Sequence, residues 1–202
     1  MLPTDDEVVA MIAAAQSAAD AGTVADDLAS IAIGESRAMA MQRAGDDVAV
    51  LMLTRTGDGD HQQTGVFLHG HHAGRRETPG SLAGTAWPRE AFDRPARRWP
   101  GRGAAIISMG GWAPGPTDGS TPTAPPDEWW MWVAGVAAGC VRAVEARSSI
   151  DTNRNIVEPR TGAFLVLVRA RHADHLAYRG ITADGRFMRL DVPDGSTPDP
   201  AW

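Results

Sequence analysis

The apolar positions of this chain change their period. Near the start, Val8, Ile12, Ala15 and Ala19 recur at helical spacing and Gly22 closes the run, while three acids (Asp5, Asp6, Glu7) occupy the first turn, where the helix dipole favours them. Thr4 and Glu7 stand at capping-box spacing. These features predict an amphipathic helix with one buried face. A second, shorter helical turn is expected over about 24–33 with Gly34 as its stop, although residues 30–33 also suit the start of a strand.

From Arg37 the period shortens to two. Met39 and Met41 alternate with small or polar residues, Gly45, Asp46 and Asp47 form a turn, and 48–53 is an apolar run of strand length. A β-hairpin is the economical reading, with a helix over 35–44 as the alternative. Residues 65–69 and 104–109 read as further strands. Between them, 74–103 is rich in Arg, Pro, Gly and Trp without a sustained period, and reads mostly as loop. A second break, 113–127, holds five prolines and reads as an extended loop or linker.

Beyond it, Trp129, Trp130, Met131, Trp132 and Val133 are apolar on both faces of any strand, which predicts deep burial or an interface. Residues 128–147 fit either one helix or two strands. Two strands are preferred, because Gly135 and Gly139 would each cost a helix interior about 1 kcal/mol relative to Ala. Residues 163–168 form a continuous Phe/Leu/Val run. A hairpin joins 176–182 to 187–192 through Asp184 and Gly185, which supply the positive φ of a tight turn.

The expected fold is therefore mainly β, a β-sandwich with an N-terminal amphipathic helix. It divides into a helical segment (1–35), a β region with an Arg/Pro-rich loop (36–112), a Pro-rich loop or linker (113–127) and a C-terminal β module (128–202). The stretches 132–145, 162–168 and 178–186 resemble the immunoglobulin-like β-sandwich segment of uncharacterised actinobacterial proteins. The resemblance implies an immunoglobulin-like topology over roughly the last 75 residues and supplies no catalytic residue.

Composition narrows the setting. All 19 basic residues are arginine, and with abundant Ala and Gly this points to a GC-rich bacterial gene. The net charge of −6 is unevenly spread: 1–36 contains seven acids and no base, whereas 74–102 contains seven arginines and three acids. The arginine segment, with Trp87 and Trp99, has the composition of a nucleic-acid surface. The overall negative charge argues against that use, and covering the acidic helix is the preferred role. Cys140 is the only cysteine, so no intramolecular disulfide forms; lying among Ala, Gly and Val, it is expected to be a buried, inert thiol. No run approaches the roughly 18 apolar residues of a membrane span, and the first residues lack signal-peptide character, so a cytoplasmic protein is expected.

One cluster carries candidate metal chemistry. On a regular strand His69 and His71 project to the same face, and Glu77 follows as a carboxylate ligand. The spacing resembles the first cupin motif, though Gly65 stands four residues before His69 and Glu77 six after His71, both off the cupin pattern. A solvated histidine cluster is the preferred alternative, and no cofactor is expected. His172 and His175 read as turn residues. Ser108 lies outside any nucleophile-elbow pattern.

With no convergent acid, base and nucleophile, the expectation is a non-enzymatic binding or regulatory module that recognises a protein partner or a second copy of itself. The alternative is a small cupin-like metal-dependent enzyme centred on His69 and His71.

Overall fold

A strand that is apolar at every position must be covered on both faces, and the computed structural model shows what covers each. It describes residues 5–27, 31–57, 61–72, 75–77, 85–86, 104–112, 127–171 and 174–190. Within these the protein is mainly β. One helix, α1 (Asp5–Ala21), precedes strands β1 (Ser36–Ala44), β2 (Asp47–Arg55), β3 (His61–His72), β4 (Arg75–Glu77), β5 (Thr85–Ala86) and β6 (Ala104–Trp112). Six more follow: β7 (Glu128–Ala137), β8 (Val141–Arg147), β9 (Thr152–Ile156), β10 (Ala163–Arg171), β11 (Ala177–Thr182) and β12 (Phe187–Met188).

The strands pair antiparallel into three sheets. The first runs β1-β2-β3-β4 with β5 also on β3, the middle one β10-β7-β6, and the third β12-β11-β8-β9. Helix and sheets stack in four layers. Met11, Ala15 and Ala19 of α1 bury Val48, Val50, Met52, Val66 and Leu68. The opposite face of the first sheet packs Leu51, Leu53 and Phe67 on Trp132, Leu165 and Leu167 of the middle sheet. The other face of the middle sheet, with Val133, Phe164, Val166 and Val168, meets Val144, Ala146 and Tyr178 of the third. The runs over 48–53 and 163–168 are therefore apolar throughout because each belongs to an inner layer.

Several expectations resolve here. Gly22, at φ +67°, follows the last residue of α1. No second helical turn forms over the described part of 24–33. Ala25 instead donates its N–H to the Ala38 carbonyl at 2.7 Å and Ile33 bridges Arg55, so both ends of the segment pair with the first sheet. Residues 128–147 are two strands, and β6 pairs with β7 from Ala104–Ala137 to Trp112–Trp130, so strands on either side of 113–126 share one sheet. Short strands β4 and β5 lie within 74–103. Thr4, most of the arginine segment, the Pro-rich stretch 113–126 and His172 lie outside the described residues.

The edge of the middle sheet is closed by side chains. Strand β10 has β7 on one side only, and its other edge would leave backbone groups unpaired. Asn155 Nδ2 donates to the Leu165 carbonyl at 2.8 Å, Gln42 Oε1 accepts the Leu167 N–H at 2.7 Å, and Asn153 Nδ2 donates to the Leu167 carbonyl at 2.9 Å. Asp151 and Asp174 accept the N–H groups of Arg169 and Arg171, and the Ser148 hydroxyl donates to the Arg169 carbonyl. The asparagines also serve β9 itself, because Asn153 Oδ1 and Asn155 Oδ1 accept the N–H groups of Arg154 and Ile156. Asn155 Nδ2 reaches the Met41 carbonyl of β1 as well. All three sheets meet at this amide junction.

Candidate functional site

Three places qualify as sites. The first is the histidine cluster. Strand β4 turns back on β3 so that His69 stands opposite Glu77 and His72 opposite Arg75, with a register slip between the two pairs. Gly70, inside that slip, has φ +49°, a conformation that favours glycine. Its N–H donates to Asp47 Oδ1 at 3.2 Å, and Asp47 Oδ2 accepts the Trp130 indole N–H at 2.9 Å. One carboxylate thus ties β2, the bulge in β3 and β7 together. The backbone brings His69 and Glu77 side by side. The side chains of His69, His71 and Glu77 lie outside the described set. Among the described residues no three His, Cys, Asp or Glu side chains form a metal-binding group.

Of the tryptophan cluster, Trp132 and Val133 are buried as expected, while Trp129, Trp130 and Met131 are half-buried against the core. Trp130 stands 6.4 Å from the Phe67 ring, and the Trp129 indole donates to the Arg171 carbonyl. Cys140 departs from expectation: the turn between β7 and β8 leaves it exposed, with Sγ 3.9 Å from Met188 Sδ. Its apolar neighbours in sequence belong to strands that point inward, whereas the cysteine sits at the turn.

The second place is the outer face of the third sheet. Strand register aligns Ile156, Ala143, Ile181 and Phe187 in one row across β9, β8, β11 and β12. The inner two are buried, while Ile156 is 73% and Phe187 59% exposed. The next row is Arg154, Glu145 and Arg179. Glu145 is buried between the arginines, with Arg154 Nη2 at 2.9 Å and Arg179 Nη2 at 2.6 Å. Burial alone would raise the Glu145 carboxyl, but hydrogen bonds from Arg154 and Arg179 outweigh it and hold it below its ordinary value of 4.5. The Arg179 guanidinium lies 3.5 Å over the Phe187 ring. Arg147, exposed, stands in the row beyond. The sequence placed strands at two of its members, over 128–147 and 176–182, but gave no sign of the row itself, and its far strand, β9, was not legible as a strand.

The third place is a cleft of about 180 Å³ between the segment after α1 and the turn after β9. Val24, Met39, Met41, Ile156 and Pro159 line it, with Glu158 among them. An Asp26–Arg160 ion pair joins the two segments that form it.

Comparison with protein-family models, curated proteins and solved structures finds no match for the chain.

Proposed function

We propose that this protein is a non-enzymatic binding module that recognises a protein partner through the outer face of its third sheet. The supporting observation is the row that leaves Phe187 and Ile156 exposed at its two ends, beside arginines that Glu145 pins in place. Exposed aromatics and ordered arginines are the residue types that dominate interface energies, and a side chain already held in one conformation loses less entropy on binding. Arg147, Arg154 and Arg179 against Glu145 make the face net basic, which suits an acidic partner, a second copy of the chain included. The immunoglobulin-like reading of 128–202, the actinobacterial relationship and a cytoplasmic setting belong to the same proposal, supported respectively by the antiparallel packing of β8–β12, the arginine-only composition and the single cysteine.

The test is capture by immobilised protein from a lysate of its source, compared with a Phe187→Ala, Ile156→Ser double variant of unchanged melting temperature. A stoichiometric partner retained by the native protein and lost by the variant supports the reading. Equal retention by both removes it.

The second reading is a small cupin-like metal-dependent enzyme. Its support is the backbone pairing of His69 with Glu77, and it requires a divalent metal held with His71.

A further inference from the structure

We propose that the cleft between residues 22–27 and 155–160 is a binding site for a small organic cation, a primary amine carrying an apolar group about the size of an aromatic ring. The cleft adjoins the protein-binding face and shares Ile156 with it, but the inference does not rest on that reading.

Size sets the apolar part. A cleft of about 180 Å³ is close to the roughly 150 Å³ cavities that take up benzene. Its walls are mostly apolar, and the half-buried Met41 is an unbranched, polarisable side chain that adapts to a guest and makes favourable contacts with aromatic rings.

Polar groups set the charge. Asn155 lines the cleft, yet its amide is committed: Nδ2 donates to the carbonyls of Met41 and Leu165, and Oδ1 accepts the Ile156 N–H. That leaves Glu158. Its Oε1 accepts the Arg160 N–H at 3.3 Å, while no hydrogen bond reaches Oε2 among the described residues. The Arg160 guanidinium, which would otherwise neutralise it, is paired with Asp26 across the cleft. An apolar hollow with a carboxylate among its lining residues suits a ligand that is apolar at one end and cationic at the other. Both members of the Asp26–Arg160 pair are more than half exposed, so the pair restrains the two segments only weakly and leaves the cleft accessible.

The test is an NMR titration of the full chain, following methyl signals of Val24, Met39, Met41 and Ile156, with benzylamine, benzyl alcohol and benzoate as separate probes at low ionic strength. Saturable shifts confined to the cleft are expected for benzylamine at millimolar concentration. Binding should be about tenfold weaker for benzyl alcohol and absent for benzoate. Glu158→Gln, a substitution at a half-exposed position, should reduce benzylamine to the level of benzyl alcohol. Three results would overturn the proposal: no saturation by benzylamine, equal binding of benzoate, or an affinity for benzylamine unchanged by Glu158→Gln.

Discussion

Gln42 of β1 accepts the backbone N–H of Leu167 in β10 at 2.7 Å, although 125 residues separate them in sequence. The same side chain reaches the Arg154 carbonyl of β9 through Nε2 at 3.4 Å. Gln42 is buried, so replacing it with leucine strands at least one backbone group without water. An unsatisfied buried donor costs roughly 1–3 kcal/mol. Gln42→Leu is therefore expected to lower unfolding free energy by about 2 kcal/mol, read from chemical denaturation. Asn155→Leu should cost at least as much, because Asn155 serves the carbonyls of Met41 and Leu165 together. A loss under about 0.5 kcal/mol in both variants would show that the junction carries little of the stability.

Glu145 gives the fold a pH dependence of known sign. Its folded-state pKa lies below the ordinary value of 4.5, so the ionised carboxylate's stabilisation of the fold is fully present above that value. That contribution disappears as pH falls through the depressed folded value. Glu145→Gln should lower stability at neutral pH by about 1–2 kcal/mol, most of it from Arg179, since Arg154 is 57% exposed and screened by solvent. Denaturation of both proteins across pH checks this. The difference should narrow below about pH 4, and a constant difference down to strongly acid conditions would contradict the assignment.

These two networks also show where sequence reasoning stopped. Helix α1 and strands β2, β7 and β10 were legible because their burial is written in apolar residues at a definite period. Strand β9, over Thr152–Ile156, was missed because its order is written in amides. Asn153 and Asn155 alternate toward the edge of β10 while Thr152, Arg154 and Ile156 face solvent. A period-two pattern of asparagines is a strand signal only once the partner edge is known, and that edge lies in another sheet. The helical turn expected over 24–33 does not form in its described part for a related reason, since pairing of Ala25 with Ala38 and of Ile33 with Arg55, the latter in keeping with the alternative of a strand start over 30–33, overrides local propensity. Neither the outer row nor the cleft was visible, as both join residues brought together only by strand register.

Gln63 allows a prediction of the opposite sign. It stands opposite Leu53, on the face turned to the middle sheet, and is 1% exposed. Neither atom of its amide has a hydrogen-bond partner among the described residues. Exchanging a buried, unpaired amide for an apolar side chain of similar length removes a desolvation cost. Gln63→Met should therefore raise unfolding free energy by about 1 kcal/mol, seen as a higher denaturation midpoint with an unchanged slope. A destabilised variant would mean that the amide is satisfied in solution.

The last prediction separates the two readings of function. Two imidazoles and a carboxylate hold a metal well only if all three converge, and the convergence of His69 and His71 was argued from the alternation of a regular strand. The ladder is not regular there: the register slips between His69 and His72, and Gly70 adopts φ +49°. Two histidines without that convergence bind divalent metal weakly. A metal at 100 times its dissociation constant would stabilise the native state by about 2.7 kcal/mol, which for a chain of this length is a shift of roughly 5–10 °C in melting temperature. The tag-free protein is therefore expected to purify with well under one equivalent of zinc or iron, and EDTA should move its melting temperature by less than about 1 °C. His69→Ala and His71→Ala should leave both quantities where they are. One equivalent of metal by mass spectrometry, lost in either variant together with several degrees of thermal stability, would place the metal-dependent enzyme ahead of the binding module.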